Sequence, residues 1–378
     1  MNQKIILIII NTSWNIYNFR LGLINALQQE GYKIIALAPK DDYSNKLEQF
    51  DIEFHDIKIN NKGTNPIEDI KLIWDFYQFY KKLSPDVILT YTIKPTIYGS
   101  IAAKIRNIPT INNISGLGAV FLNDNLSSKI GRLLHKIALY KSDTVFFQNP
   151  QDKKLFIDSK FTIEQQAELL PGSGINTEYF KPEKIIKKTV NFTFLCVARL
   201  VGNKGIKEYE SAAKKLKKQY PKIVFQILGA YYPNNPTALS LEEIAQWKGG
   251  EVIDYLGTND NVRAIMLQAD CIVLPSYREG LSHVLLEAAS LEKPIITTNV
   301  PGCMEVVDEG INGYLCQVKD VDSLVQKMKK IFLLDEEKRN IMGKNGRKKI
   351  KAEFDERIVI QKYIAAIDKC LTPSHNPT

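Results

Sequence analysis

Continuous apolar runs alternate with stretches of helical period along most of this chain. Ile5-Ile-Leu-Ile-Ile-Ile10 is the plainest of the runs. A strand covered on both faces of a parallel sheet loses its in–out alternation and becomes uniformly apolar, so residues 4–10 read as a strand. Helical period covers 19–30, and a strand follows at 33–38. The pattern continues as helix 67–83, strand 86–90, helix 99–106, strand 110–113, helix 127–141 and strand 144–148. Such alternation predicts a doubly wound parallel sheet with right-handed crossovers.

A second series opens at Phe192. It reads as strand 192–198, helix 206–219, strands 223–228 and 254–257, helix 262–269, strand 271–275, helix 284–291, strand 294–298 and helix 321–334. Between the two series, Leu170-Pro-Gly-Ser-Gly-Ile175 and Phe180-Lys-Pro182 carry the Pro and Gly of a hinge. At 378 residues the chain exceeds what one core usually fills. The expected class is α/β, with two Rossmann-like domains facing a cleft. The expected division is an N-terminal domain at 1–170, a linker at 171–190, a C-terminal domain at 191–350, and a helix at 351–378 that packs back on the first domain and ends in a disordered tail. Ligands bind outside the carboxyl ends of such strands, which puts the site in the cleft.

Composition narrows the classes. The chain is 44% hydrophobic and 24% charged, as a globular protein is. The six-residue apolar run near the N-terminus is too short for a secretory core and no small-residue cleavage site follows it. No apolar stretch approaches the ~20 residues of a membrane span. Five cysteines lie scattered without a C-x-x-C pair, which argues for reduced thiols in the cytoplasm and against zinc. The net charge of +8 suits phosphorylated substrates, an anionic membrane or nucleic acid, without choosing among them.

Two loops carry candidate chemistry. Arg199 ends the first strand of the second series, and Lys204 follows in Val201-Gly-Asn-Lys-Gly205. Two cations in a glycine-containing loop ahead of a helix suit a diphosphate clamp, the Arg as a fork and the Lys as a point charge. A solvated basic turn is the plainer alternative. Ser276-Tyr-Arg-Glu-Gly-Leu-Ser-His-Val-Leu-Leu-Glu-Ala288 places Glu279 just past a strand and Glu287 eight residues on, inside a helix. Carboxylates there suit the hydroxyls of a sugar and a ribose. The alternative is an ordinary α/β loop with two solvated glutamates.

The Glu279-x7-Glu287 spacing with Arg199-x4-Lys204 resembles the signature of family 4 retaining glycosyltransferases, whose fold is GT-B. The resemblance spans nearly the whole chain and is strongest over 197–318. The look of Tyr17-x-Phe19-Arg20, Gly116-Leu-Gly118, Pro275-Ser-Tyr-x-Glu-Gly280 and Pro301-Gly-Cys303 is similar to bacterial members that extend undecaprenyl-diphosphate-linked sugars in O-antigen, capsule or N-glycan assembly. It implies a hexosyltransferase. The donor would be a nucleotide sugar, UDP-linked, with N-acetylgalactosamine or a related hexose or uronic acid as the sugar. Arg199 and Lys204 would hold the diphosphate, Glu279 the donor sugar and Glu287 the ribose. Gly280 and Leu281 would offer backbone N–H groups, and Glu305 would be a helix-cap acid or a support rather than a catalyst. No cofactor and no metal is implied, because the two cations replace it. Domain closure would order the acceptor and exclude water.

In the first domain, Asn11-Thr-Ser-Trp-Asn-Ile-Tyr-Asn-Phe-Arg20 lacks the G-x-G-x-x-G of dinucleotide sites. Its Trp14, Tyr17 and Arg20 suit an acceptor pocket or, equally, a packing loop with a helix cap. Lys94, past a strand end, is either an acceptor ligand or a solvated lysine. Ser115, before Gly116, stands where many relatives have His; this leaves open a side chain as proton acceptor and fits a front-face mechanism in which the leaving phosphate itself takes the acceptor proton. Another departure is Ser282-His283, where many relatives have Pro and then Asn, Ser or Arg; His283 either reaches the sugar or covers the loop. Helix 127–141 sets Lys129, Arg132, His135, Lys136 and Lys141 among Ile130, Leu133, Leu134, Ile137 and Leu139. That pattern suits either a core-packing helix with a solvated face or one lying on an anionic membrane, with Arg132 near a lipid diphosphate. The expected partners are a nucleotide sugar, a lipid-linked saccharide and the inner face of the cell membrane, with no nucleic acid. Two rivals stand beside this reading: an epimerase or hydrolase of UDP-sugars with the same fold, and a basic membrane- or nucleic-acid-binding protein.

Overall fold

The computed structural model describes residues 3–60, 65–117, 121, 126–140, 142–185, 189–233, 235–247 and 250–372. The chain divides into two compact units, one of Met1–Ser173 with Glu356–Thr378 and one of Gly174–Asp355.

The first unit holds strands Ile5–Ile9 (β1), Lys33–Ala38 (β2), Glu53–Asp56 (β3), Val87–Tyr91 (β4), Thr110–Ile114 (β5), Thr144–Phe147 (β6) and Ala167–Leu169 (β7). They form one parallel sheet in the order β3-β2-β1-β4-β5-β6-β7. β1 lies inside it. Ile6 and Ile8 enter one core with Leu23, Leu27, Tyr363 and Ile367. Leu7 and Ile9 enter the opposite core with Leu72, Phe76 and Ala102. Both faces are covered, which is why the run is apolar at every position.

Helices Ser13–Phe19 (α1) and Leu21–Gln29 (α2) follow β1, Pro66–Leu83 (α3) precedes β4, and Leu126–Leu139 (α4) precedes β6. The helix expected at 19–30 is α2, and most of the loop expected at 11–20 forms a separate helix, α1. Thr12 starts α1 by accepting the Asn15 N–H at 3.1 Å, as an N-cap threonine does. Arg20 breaks the helix at φ −126°. Strands β3, β7 and the last strand of the second sheet escape the sequence pattern. Each is short and outermost in its sheet, so one edge lacks a partner and a long apolar run is not needed.

The second unit holds Thr193–Val197 (β8), Val224–Leu228 (β9), Asp254–Tyr255 (β10), Cys271–Leu274 (β11), Ile295–Thr298 (β12) and Gly313–Cys316 (β13), in the parallel order β10-β9-β8-β11-β12-β13. Its helices include Ile206–Gln219 (α5) and His283–Ser290 (α6). In both sheets the chain order reverses at one point, between β1 and β4 and between β8 and β11.

The stretch expected as a linker differs from that reading. From Gly174 it belongs to the second unit. Ile175 is buried and donates its N–H to Phe354 O at 2.9 Å. Thr177 Oγ1 donates to Asp355 Oδ2 at 2.6 Å, and the Arg347 guanidinium donates to the carbonyls of Thr177, Phe180 and Ser290 at 3.0, 3.0 and 2.7 Å. The glycines here serve backbone shape, with φ of +64° at Gly172 and +70° at Gly174. At the other end, helix Glu336–Glu353 is part of the second unit and helix Glu356–Leu371 part of the first. The expected disordered tail falls almost wholly in 373–378, outside the described residues.

Candidate active site

The second unit's candidate residues gather at its reversal point, on the loops that follow β8 and β11, braced by the loop after β12. That position opens because neighbouring crossovers leave on opposite faces of the sheet.

After β8 the chain runs through Arg199 to a single 3-10 turn, Gly202–Lys204, closed by Gly205 at φ +70°. A Cβ on Gly205 would overlap the Pro275 carbonyl, so only glycine lets this loop rest on the loop after β11. Tyr277 N–H donates to Asn203 O at 2.9 Å. Tyr277 Oη donates to Glu208 Oε1 of α5 at 2.8 Å. Burial, then the neighbouring Glu208, pushes the Tyr277 hydroxyl up to about 12, so it remains a donor at neutral pH.

The loop after β12 braces the same segment. Glu279 N–H donates to Pro301 O at 3.1 Å and Ser282 N–H to Gly302 O at 2.8 Å. Gly302 has φ +82°, and a Cβ there would overlap the Glu279 carbonyl. Glu305 Oε2 accepts from Gly302 N–H at 2.7 Å. Glu305 therefore supports the loop.

These contacts bring Lys204 and Glu279 together. Lys204 Nζ and Glu279 Oε1 form an ion pair, their side chains 16% and 14% exposed. Glu287 lies one turn into α6, where Oε1 is 2.9 Å from His283 Nδ1. Leu281 N–H donates to nothing among the described residues, close ahead of the α6 N-terminus. Arg199 is exposed and makes no ion pair among the described residues; its guanidinium lies 5.0 Å above the Tyr232 ring centre. No hydrogen bond or ion pair joins it to Lys204 or Glu279. Tyr232 has no signal in the sequence beyond its aromaticity.

The thiols contribute no nucleophile. Burial first, then Glu279, pushes Cys303 up to about 12, and burial does the same to Cys196 and Cys316. Asp320 and Asp322 belong to a helix start. Asp320 Oδ1 accepts Ser323 N–H at 2.9 Å, and Asp322 pairs with Lys215 at 2.5 Å.

The first unit distributes its candidate residues differently. Tyr17 joins an aromatic cluster, 5.3 Å from Tyr43 and 6.1 Å from Phe50 between ring centres, with Lys46 over it. Lys94 is paired with Asp69 at 2.7 Å, and Tyr98 Oη donates to the same carboxylate at 2.6 Å; it is not a solvated loop lysine. Arg20 is only 5% exposed and lies 4.2 Å from the Tyr91 ring centre. Its Nε is buried with no acceptor, and no carboxylate lies within ion-pair range among the described residues. Ser115 is exposed past β5, followed by Gly116 at φ +140°. Arg132 is half-buried on α4. Gly118 and Lys141 lie outside the described residues.

Thr92, at the end of β4 beside Tyr91, has φ +67°. A β-branched residue in the left-handed region is strained, and such strain concentrates at ligand sites. Nothing in the sequence announces it. Thr92 and Ser115 follow the ends of β4 and β5, and Arg20, between α1 and α2, lies against Tyr91 at the end of β4.

Two protein-family profiles match the chain, "Glycosyl transferases group 1" over residues 178–349 and "Glycosyl transferase 4-like" over 5–149. The chain is 26% identical over 94% of its length to N,N'-diacetylbacillosaminyl-diphospho-undecaprenol alpha-1,3-N-acetylgalactosaminyltransferase of Campylobacter jejuni, covering 96% of that protein. It is 27% identical to UDP-Gal:alpha-D-GlcNAc-diphosphoundecaprenol alpha-1,3-galactosyltransferase of Escherichia coli, covering 76% of each chain. Among solved structures, a glycosyltransferase from Rickettsia africae superposes with a TM-score of 0.81 at 19% identity, covering 99% of this chain and 100% of that one. Anabaena HepE, solved with UDP and glucose, gives 0.76 at 17% identity over 97% and 100%.

Proposed function

We propose that this chain, which belongs to the family 4 glycosyltransferases and has their GT-B fold, moves a hexosyl unit with retention from a UDP-sugar to an undecaprenyl-diphosphate-linked saccharide. The observation that carries this reading is the Lys204–Glu279 pair at the second sheet's reversal point, with Arg199 on the adjoining loop and Glu287 eight residues on. The acceptor class is supported by the printed activities of the Campylobacter and Escherichia relatives. N-acetylgalactosamine, galactose or a related uronic acid fits the donor sugar.

In this reading the donor diphosphate takes Lys204 from Glu279. Released from the pair, Glu279 accepts hydrogen bonds from the donor sugar. Arg199 and Leu281 N–H add to the field on the leaving phosphate, and Glu287 accepts the ribose hydroxyls. The bond from the anomeric carbon to the leaving phosphate oxygen breaks as the acceptor oxygen bonds on the same face. The acceptor proton passes to that phosphate. Charge on the leaving diphosphate is stabilised by fixed cations, usually the largest catalytic term, so no metal is required. In this reading Tyr17, Arg20, Lys94, Ser115, Gly116 and Arg132 serve the acceptor.

The membrane enters through two helices of the first unit. α4 exposes Ile130, Leu133 and Ile137 at helical spacing, with Tyr140 beyond it, and α3 exposes Ile67, Ile70 and Trp74. Exposed Lys71, Lys129 and Lys136 lie among them. Apolar stripes flanked by lysines favour an anionic bilayer surface, here the cytoplasmic leaflet, where an acceptor built on undecaprenyl diphosphate is presented. No helix among the described residues is long and apolar enough to cross a membrane. Trp74→Asp with Leu133→Asp is expected to weaken co-sedimentation with anionic vesicles by roughly tenfold or more, since each lost apolar side chain forfeits about 1.5–3 kcal/mol. UDP binding should not change. Equal sedimentation of variant and parent would refute this surface.

The test of the activity itself is transfer from a panel of UDP-, GDP- and dTDP-sugars to a short-chain polyprenyl diphosphate saccharide, with the product's anomeric configuration read by NMR. A glycosylated acceptor with the donor's configuration, from UDP donors only, is expected. Free sugar released at the same rate without acceptor would instead identify a hydrolase.

A further inference from the structure

The His283–Glu287 contact carries an inference about donor recognition, and it rests on Glu287 as the ribose acceptor proposed above. His283 is the first residue of α6, and Ser282 before it gives the helix no side-chain cap. Glu287 stands four residues on, so the two side chains share one face of the helix. Nδ1 and Oε1 are 2.9 Å apart, with the side chains 22% and 15% exposed.

We infer that His283 is a positioning residue that fixes the Glu287 carboxylate for the ribose diol of the donor. A carboxylate acts only as an acceptor, so the proton of this hydrogen bond lies on Nδ1. His283 is therefore the donor and Glu287 the acceptor. One ionised carboxylate has about four lone-pair sites. The imidazole uses one and leaves sites for the 2′- and 3′-hydroxyls. Glutamate otherwise surrenders much rotamer freedom when it binds a ligand. A neighbour on the same helix that holds it beforehand lowers that cost.

A single side-chain pair of this spacing adds little to helix stability. Loss of His283 should therefore be read in ribose recognition rather than in folding. Asparagine tests this, because its Nδ2 branches from the same carbon position as Nδ1 of histidine and also carries a proton. Phenylalanine keeps a ring and has no donor.

The experiment is calorimetric titration of UDP and of 2′-deoxy-UDP into the full-length protein and into His283→Asn, His283→Phe and His283→Ala. The parent is expected to prefer UDP by about tenfold or more, the scale of a hydrogen bond to a charged group. In His283→Phe and His283→Ala, UDP should bind about tenfold more weakly and the preference over 2′-deoxy-UDP should largely vanish. His283→Asn should stay close to the parent, and all four proteins should melt within a few degrees of one another. Full preference retained in both the Phe and Ala variants overturns the positioning role while leaving Glu287 on the ribose. A parent that binds both nucleotides equally overturns the ribose assignment of Glu287 and the inference with it. Absence of UDP binding to the parent overturns the proposed function.

Discussion

Lys204→Ala is expected to lower kcat by roughly two to three orders of magnitude, the usual cost of removing one preorganised charge partner from a developing anion. The variant also exposes a repulsion. Glu279 is only 14% exposed and Lys204 is its ion-pair partner. Without the lysine, a carboxylate remains where the donor diphosphate must come, so UDP should bind at least tenfold more weakly. The double variant Lys204→Ala/Glu279→Gln removes that repulsion. It should recover part of the UDP affinity and none of the turnover. Calorimetry with UDP and an initial-rate assay separate the two effects. A single variant within tenfold of the parent in kcat would remove Lys204 from the chemistry, and a double variant binding UDP no better than the single would refute the repulsion.

The second large effect belongs to a residue that meets no ligand. Gly302→Ala should destabilise the second unit and abolish donor binding together. Its φ of +82° and the overlap of any Cβ with the Glu279 carbonyl cannot be relieved by turning a side chain, because both obstacles are backbone. Left-handed strain costs about 1–2 kcal/mol by itself, and separating the two loops costs the Glu279–Pro301 and Ser282–Gly302 hydrogen bonds as well. A melting temperature lowered by several degrees is expected, with no measurable UDP saturation in the folded fraction. Gly250 is the control, since it also has positive φ and a Cβ there meets nothing within 4 Å. A Gly302→Ala protein no less stable than Gly250→Ala would show that the loops tolerate separation.

The alternation of apolar runs and helical stretches carries the doubly wound sheets, because strands covered on both faces have little freedom in composition. Edge strands such as Glu53–Asp56 escape for the converse reason. The spacing of Arg199, Lys204, Glu279 and Glu287 is legible because each pair belongs to one strand–loop–helix segment. That Lys204 faces Glu279 is not legible. It follows from Gly205 and Gly302 letting three loops close on one another, with Lys204 and Glu279 75 residues apart in sequence. The first unit is harder still. Lys94 finds Asp69, 25 residues upstream, and Arg20 ends beneath the surface against Tyr91 because α1 breaks there. A helix break and a distant carboxylate leave no local pattern. Periodicity on α4 shows that apolar and basic positions alternate, and only burial shows that Ile130, Leu133 and Ile137 remain uncovered.

The return of the chain into the first unit has a consequence for its synthesis. Tyr363 and Ile367 of helix Glu356–Leu371 are fully buried in the core that also holds Ile6 and Ile8, and Asn113 Nδ2 donates to Tyr363 Oη at 2.8 Å across 250 residues of sequence. Chains usually fold from the N-terminus as they emerge from the ribosome. Here the first 173 residues leave the exit tunnel with an apolar seam that stays open until the whole second unit has been translated. The unit made first is therefore the last to be completed, and nascent chains stalled anywhere before residue 356 present that seam to chaperones.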